Sequence, residues 1–382
     1  MTKSYIEIKK ESLSDAKKNF KYDLIEEVEC GRSCTPKYRK KLLFKVSFAA
    51  FQLILLFFFL IFICFPLTYK FCYSLQRAAV FLNFKNIPLN PDYHHPAKYG
   101  LEGTRNYYVT TDDDVKLGVW QLLPEQEVGN YENSSFDDEQ FQNLLSDGKN
   151  VIIYNHGNGG CRLTDHRIQL YKVLRQQFHV IAYDYRNYGD SSDRELSEDN
   201  VVQDIMYMIK WVKSKAKGHV FVWGHSLGTS LSTQALARLQ TSGTRVTGLI
   251  LESPFNNMRE EISEFPLTRW FKHLPWFAFT VVDPMQENNF LFKTDVHICH
   301  VDLPIIILHA EDDNVVPYRL GYKLYEAALK CKSEKDGSIQ FKSFEENLHY
   351  GHKYIYKDER LPNIISNFVL EAIKETRKKS KN

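Results

Sequence analysis

The sequence predicts an α/β fold, a mostly parallel central sheet with helices on both faces and a small cap insertion, preceded by one transmembrane helix. Three observations predict it. A charge-free run of 20 residues, Val46–Phe65, contains 15 Val, Ile, Leu or Phe. From Asn106 onward, short apolar runs alternate with segments of helical period, the pattern of parallel strands joined by crossover helices. One long aromatic segment, 255–292, interrupts that alternation.

Taken in chain order, residues 1–41 mix Lys and Glu without a sustained apolar period and read as a solvated tail. The helix at 42–65 follows. At ~1.5 Å per residue its charge-free core spans ~30 Å, the thickness of a bilayer's hydrocarbon layer. A buried core helix of that length would carry a polar stripe, and a signal peptide's short apolar core would not stand 45 residues from the start. Basic residues crowd the preceding flank (Arg32, Lys37, Arg39, Lys40, Lys41, Lys45) and thin out beyond it (Lys70, Arg77, Lys85). The positive-inside rule then puts the N-terminus in the cytosol and the chain after Phe65 on the lumenal or outer side. Residues 66–105, with Pro88, Pro91, Pro96 and several aromatics, read as a membrane-proximal stalk.

The catalytic domain is expected over 106–375. Strands are predicted at Val115–Leu122, Val151–Asn155, Val180–Asp184, Val220–Trp223, Leu249–Glu252, Ile305–Ala310 and Ile339–Phe344, with helices at Val201–Lys213, Leu227–Leu239 and Leu320–Lys330. The insertion at 255–292, with Phe265, Trp270, Phe271, Trp276, Phe277 and Phe279, suits a cap that shapes an acyl pocket or touches the bilayer, or equally ordinary core packing. Apolar residues at 43% supply a sizeable core, and 49 basic against 47 acidic residues leave no overall field to attract nucleic acid. Asn133-Ser134-Ser135 is the one glycosylation acceptor, in a polar stretch expected at the surface.

The chemistry centres on Gly224-His225-Ser226-Leu227-Gly228, directly after a predicted strand and opening a predicted helix. In that setting the serine sits on a strained turn that lifts its hydroxyl to the sheet edge, while Gly224 and Gly228 let neighbouring chain pass closely. The helix N-terminus aims free amides at developing negative charge. An alcohol becomes a competent nucleophile only when a base takes its proton. His352 is the expected base and Asp313 the acid that orients it, following Ser226 in the order Ser, Asp, His. Asp312 is the fallback acid, and His349 competes with His352, although Gly351 gives His352 the freer loop. The oxyanion hole is expected from the amide of Leu227 and one from the loop Asn155–Gly160, with Asn158 as second donor.

Other motifs carry less. Gly157–Gly160 is not followed by the Lys-Ser/Thr of a phosphate-binding loop, and Cys161 has no spaced partners that would make it a nucleophile. His297-Ile298-Cys299-His300 has ligand-like spacing without a second ligand pair, so no metal or cofactor is expected. The seven cysteines form neither a zinc framework nor a dense disulfide scaffold.

At these residues the chain resembles the lysophosphatidylserine lipases (α/β-hydrolase domain-containing protein 12), also described as monoacylglycerol lipases. The resemblance covers most of Lys37–Leu370. It is carried by NHGNGG at 155–160, DHRIQLYKVL at 165–174, DYRNYGDS at 184–191, WGHSLGTS at 223–230, LILESPFNNMREE at 249–261, LHAEDDNVVP at 308–317 and GHKYIYK at 351–357. Asn187 stands where hydrolases of this superfamily commonly have glycine. The resemblance implies an α/β-hydrolase fold and the triad Ser226, Asp313 and His352. It also implies a single-pass endoplasmic reticulum membrane protein with a lumenal domain that cleaves single-chain lipids, its partners being lipid substrate and bilayer. The competing expectations are a thioesterase or peptidase of the same fold, and a catalytically inactive binding protein.

Overall fold

The structure, a computed structural model, describes residues 36–83, 90–131, 136–333 and 336–379. The acceptor Asn133 and residues 1–35 of the expected tail lie outside them. The chain divides into two compact units, Met1–Leu67 and Thr68–Asn382.

In the first unit α1 (Pro36–Phe59) runs into a π turn (Leu60–Cys64) before the helix resumes at Phe65. The wide turn falls just before Pro66, whose ring crowds the carbonyl four residues back and has no N–H to offer. Leu43, Phe51, Leu53 and Phe57 are among many large apolar side chains left exposed along it. A helix whose backbone bonds are satisfied internally and whose surface is apolar all round is the form that lipid accepts. The apolar helix Arg39–Phe71 is long enough to cross a bilayer.

The second unit is built on a sheet that, among the described residues, has eight strands in the order β1-β2-β4-β3-β5-β6-β7-β8. The strands are β1 (Thr104–Thr110), β2 (Lys116–Leu122), β3 (Val151–Asn155), β4 (His179–Tyr183), β5 (Val220–His225), β6 (Gly248–Glu252), β7 (Ile305–Ala310) and β8 (Ile339–Phe344). β2 pairs antiparallel with β1 and β4, and every pairing from β4 to β8 is parallel. β3 to β7 are buried along their whole length, which is why they read as unbroken apolar runs rather than as alternations. The expected boundaries hold to within a few residues. β1 is the strand that the pattern did not announce, because Arg105 and Asn106 break its apolar character on an edge strand that is half-buried.

Successive strand residues feed opposite faces of the sheet. Val151 and Ile153 pack with α4 (Glu198–Lys215), α5 (Leu227–Thr241) and α7 (Tyr318–Cys331) through Ile205, Leu231 and Leu324. Ile152 and Tyr154 pack with α3 (Asp165–Leu174) and α8 (Leu361–Lys379) through Leu170 and Phe368. Helix starts are set by side-chain oxygens: Ser197 accepts from Asn200 N before α4, and Asn257 from Glu260 N before α6 (Met258–Glu264).

Within 66–105, α2 (Tyr73–Phe81) contributes Val80 and Phe81 to the first core, and Tyr93 and Leu101 join the second. The 255–292 insertion comprises α6, a series of turns, a π turn (Ala278–Val282) and a short helix (Asp283–Glu287). Its aromatics divide: Phe277 is buried, whereas Trp270 and Phe279 are exposed. Asn187 adopts φ 63°, which asparagine tolerates better than most residues, so the departure from glycine keeps the local backbone. Cys299, from the ligand-like cluster, is disulfide-bonded to Cys331 at the end of α7.

Candidate active site

β5 ends in His225 and α5 begins at Leu227, leaving Ser226 alone at the bend with φ 51° and ψ −120°. A non-glycine residue holds such angles only where its surroundings enforce them. Here Ser226 N donates to Glu252 O of the neighbouring strand at 2.9 Å, and its own carbonyl accepts from Thr229 N and Thr229 Oγ1 at 2.9 and 2.6 Å. The two flanking glycines are required by contact. A Cβ on Gly224 would meet Gly228 O at 2.6 Å, and one on Gly228 would meet Asn155 O at 2.2 Å, both backbone atoms that cannot swing away. As the first residue of α5, Leu227 has an amide without an intrahelical acceptor.

Asp313 follows β7 and is buried. One carboxylate oxygen, Oδ1, accepts from Val315 N and Val316 N, both at 2.9 Å; the other, Oδ2, meets His352 Nδ1 at 2.8 Å and lies 3.4 Å from His309 Nε2. Burial alone would raise its pKa, but the His352 charge and hydrogen bonds from His309 and His352 outweigh that and hold it well below the usual carboxylate range. An ionised carboxylate only accepts, so Nδ1 of His352 carries a hydrogen, and in the neutral ring this leaves the Nε2 lone pair to take a proton.

His352 is carried on a loop fixed at two points. Gly351 N donates to Asp312 Oδ1 at 2.9 Å, and His225 Nε2 donates to His352 O at 2.9 Å. The His225 and His352 rings stand 5.0 Å apart. Ser226, Asp313 and His352 are thus gathered at the C-terminal ends of β5, β7 and β8, where loops of a parallel sheet converge. Asp312 supports the loop instead of touching the imidazole, and His349 is exposed in a left-handed turn.

The loop after β3 runs close over the serine, since a Cβ on Gly157 would lie 3.0 Å from Ser226 Cβ. The side chain of Asn158 turns to Val80 O at 3.3 Å, leaving its backbone amide as the group available to an oxyanion. Gly159 N donates to Phe81 O at 2.9 Å, so the end of α2 braces this loop. The motifs gave no sign of that brace, which depends on a helix distant in sequence. Two buried carboxyls also escaped notice. Glu252, which accepts from Trp223 Nε1 at 2.8 Å, and Glu261 are both pushed up to about 8, chiefly by burial. The end of β6 beside the elbow was the only signal for Glu252. Among the described residues no group of three or more His, Cys, Asp or Glu is placed to share a metal ion.

Residues 150–292 match the family model for the alpha/beta hydrolase fold. The chain is 40% identical over 312 residues to the lysophosphatidylserine lipase ABHD12 of Danio rerio, covering 81% of each chain. It is 39% identical over 310 residues to that of Mus musculus, covering 81% of this chain and 77% of the relative. The structure superposes on a Pyrococcus furiosus esterase with a TM-score of 0.52 at 18% identity, over 73% of this chain and 93% of that one, a likeness of fold alone. The protein is a serine ester hydrolase of the α/β-hydrolase fold, and the chain belongs to the lysophosphatidylserine lipase ABHD12 family.

Proposed function

We propose that Ser226, His352 and Asp313 form the catalytic triad of a membrane-anchored lipase that hydrolyses the acyl ester of lysophospholipids, lysophosphatidylserine foremost, and of monoacylglycerols. The observation that carries this reading is the 2.8 Å contact of His352 Nδ1 with a buried carboxylate, on a loop hydrogen-bonded to the residue before a strained serine. Lysophosphatidylserine is the substrate in the names of the curated relatives.

In this mechanism Ser226 Oγ attacks the ester carbonyl as its proton passes to His352 Nε2. The new C–O bond places negative charge on the carbonyl oxygen, which the amides of Leu227 and Asn158 stabilise. Collapse breaks the ester bond to the glycerol oxygen, and His352 returns the proton to that leaving oxygen. Water then repeats the sequence on the acyl-Ser226 ester and releases fatty acid. Asp313 keeps the imidazole in the required tautomer and favours its protonated form.

The topology belongs to the same proposal: a cytosolic 1–41, a span at 42–65, a stalk over 66–105 and a lumenal catalytic domain over 106–375 with a cap at 255–292, in the endoplasmic reticulum membrane and glycosylated at Asn133. The Cys299–Cys331 disulfide supports an oxidising compartment, and the basic residues before α1 support the orientation. The anchor holds the site next to an insoluble substrate and so raises its effective concentration.

The test is turnover of a panel of lysophospholipids, monoacylglycerols and acyl thioesters by the purified full chain and its Ser226→Ala variant. Loss of all turnover on substitution, with lysophosphatidylserine preferred by the wild type, is expected. Full turnover by Ser226→Ala overturns the mechanism, and a thioester preference overturns the substrate. Protease treatment of sealed microsomes should leave the catalytic domain intact, and its digestion would reverse the orientation.

A further inference from the structure

Arg167, the third residue of α3, is buried at 2% exposure, yet it spends its charge on backbone oxygens. Nη1 donates to Cys161 O at 2.8 Å, and Nη2 to Gly159 O at 2.7 Å and Gly157 O at 3.3 Å. Of the three other buried arginines, Arg162 bridges Asp184 and Asp190 and Arg186 pairs with Asp204, whereas Arg175 gives Nε to one backbone oxygen, Leu123 O at 3.1 Å. Among the described residues no carboxylate stands within ion-pair distance of Arg167. A guanidinium stays charged wherever it is placed, and burying one without an anionic partner is costly. Such a group is retained for what it holds.

What it holds is the loop over the nucleophile. Gly157 lies so close to Ser226 that a Cβ on it would come within 3.0 Å of the serine Cβ. The peptide joining Gly157 to Asn158 is planar and trans, so its C=O and N–H point to opposite sides. Its oxygen takes Arg167 Nη2 and also His156 Nδ1 at 2.8 Å. A carbonyl only accepts, so Nδ1 of His156 bears the hydrogen; burial keeps that imidazole neutral, its pKa well below the ordinary value. With the oxygen engaged by these two donors, the Asn158 amide is turned the other way. The same clamp acts on Gly159 O, while Gly159 N is taken by Phe81 O.

We propose that Arg167, assisted by His156, is the positioning residue of the oxyanion loop: it fixes the Gly157–Asn158 peptide with its N–H toward the nucleophile and lends an uncompensated positive charge to the anionic intermediate. This rests on the reading of Ser226 as nucleophile. Arg167 touches no reacting atom, and its effect falls on the transition state rather than on substrate capture. The field of its charge reaches His225 and Tyr154, beside the elbow and in β3.

The experiment compares Arg167→Met, Arg167→Lys, His156→Phe and His156→Asn as full-length proteins in detergent, measuring thermal midpoint, kcat, KM and the rate of labelling by a fluorophosphonate. Arg167→Met should lose about 10²–10³ in kcat, the usual effect of losing an oxyanion donor, and label more slowly, with KM changed by less than about threefold. Arg167→Lys, which keeps the charge but not the fork, should fall between. His156→Asn, whose amide nitrogen can replace Nδ1, should retain more kcat than His156→Phe. A folded Arg167→Met with wild-type kcat, or a loss confined to KM, overturns the proposal. If Arg167→Met does not fold, the His156 pair decides: unequal kcat at equal KM supports the proposal, and equal kcat, or failure of that pair to fold as well, overturns it. Ser226→Ala is run alongside; turnover surviving in it refutes the nucleophile reading, whereas an inactive Ser226→Ala with an unaffected Arg167→Met refutes only the role of the arginine.

Discussion

His225 Nε2 donates to His352 O at 2.9 Å, so the residue before Ser226 is bonded to the backbone of a residue 127 positions further along the chain. The register between Ser226 and His352 is therefore held through the chain beside them. It is set by a neutral imidazole, kept uncharged by burial, whose hydrogen must lie on Nε2 because a carbonyl only accepts.

The two adjacent acids should separate cleanly on mutation. Asp313→Asn should lower kcat by about 10³–10⁴-fold, since an amide no longer enforces the tautomer of His352. Asp312→Asn removes an acceptor for Gly351 N only partly and should cost less than about tenfold. Steady-state kinetics on both variants check this, and equal losses would show that Asp313 has no special part in orienting the base.

Glu252 and Glu261 predict a stability that declines with alkalinity. Both have folded pKa values raised to about 8 from 4.5, so between those limits the native state holds protons that the unfolded chain releases. Stability contributed in this way is present below about pH 4.5 and lost as pH rises through 8. Glu252→Gln should accordingly raise the thermal midpoint at pH 8 more than at pH 5, corresponding to a stability difference of up to about 4 kcal/mol. Calorimetry at the two pH values measures it, and a midpoint shift equal at both would refute the assignment.

Gly228→Ala should be among the more damaging small substitutions in the protein. Its methyl would meet Asn155 O at 2.2 Å and His156 O at 2.7 Å, so β3 and α5 must separate. The expected cost is about 3 kcal/mol or more, together with loss of fluorophosphonate labelling. Denaturant titration and gel-based labelling read the two effects, and an alanine variant with wild-type values for both would contradict the close approach.

Replacing Cys299 and Cys331 together by serine should lower stability by about 3–4 kcal/mol, the scale expected for a loop closed over 32 residues. Because neither cysteine belongs to the proposed triad, kcat at a temperature where the variant is folded should stay near the wild-type value. A thermal melt with and without reductant tests the bridge in the unmodified chain.

The parallel strands were legible because burial on both faces leaves a continuous apolar run, and Val151–Asn155 and Ile305–Ala310 were bounded correctly from that alone; Ile339–Phe344, half-buried with Gln340, Lys342 and Ser343 in it, was bounded without such a run. The elbow was legible because the close backbone approaches at the bend require glycines two residues either side of Ser226. β1 was hidden by the mixed character of an edge strand. The aromatics before Asn106 pointed to a membrane interface, yet Phe81 and Tyr93 are buried in the domain, since an aromatic ring suits either setting and composition does not say which. The roles of Arg167 and α2 lay out of reach for a different reason: each acts through backbone carbonyls, which every residue has and no motif records.

One practical boundary follows from the bond between Gly159 N and Phe81 O. Tyr73 stacks on Phe290 and Gln76 accepts from Asn288, so the helix that ends at Phe81 also docks against the close of the insertion. Trimming the protein for water solubility at residue 106, where the strand pattern begins, would remove the helix that braces the loop after β3 along with the apolar helix. A shortened form meant to keep turnover should therefore start no later than Tyr73.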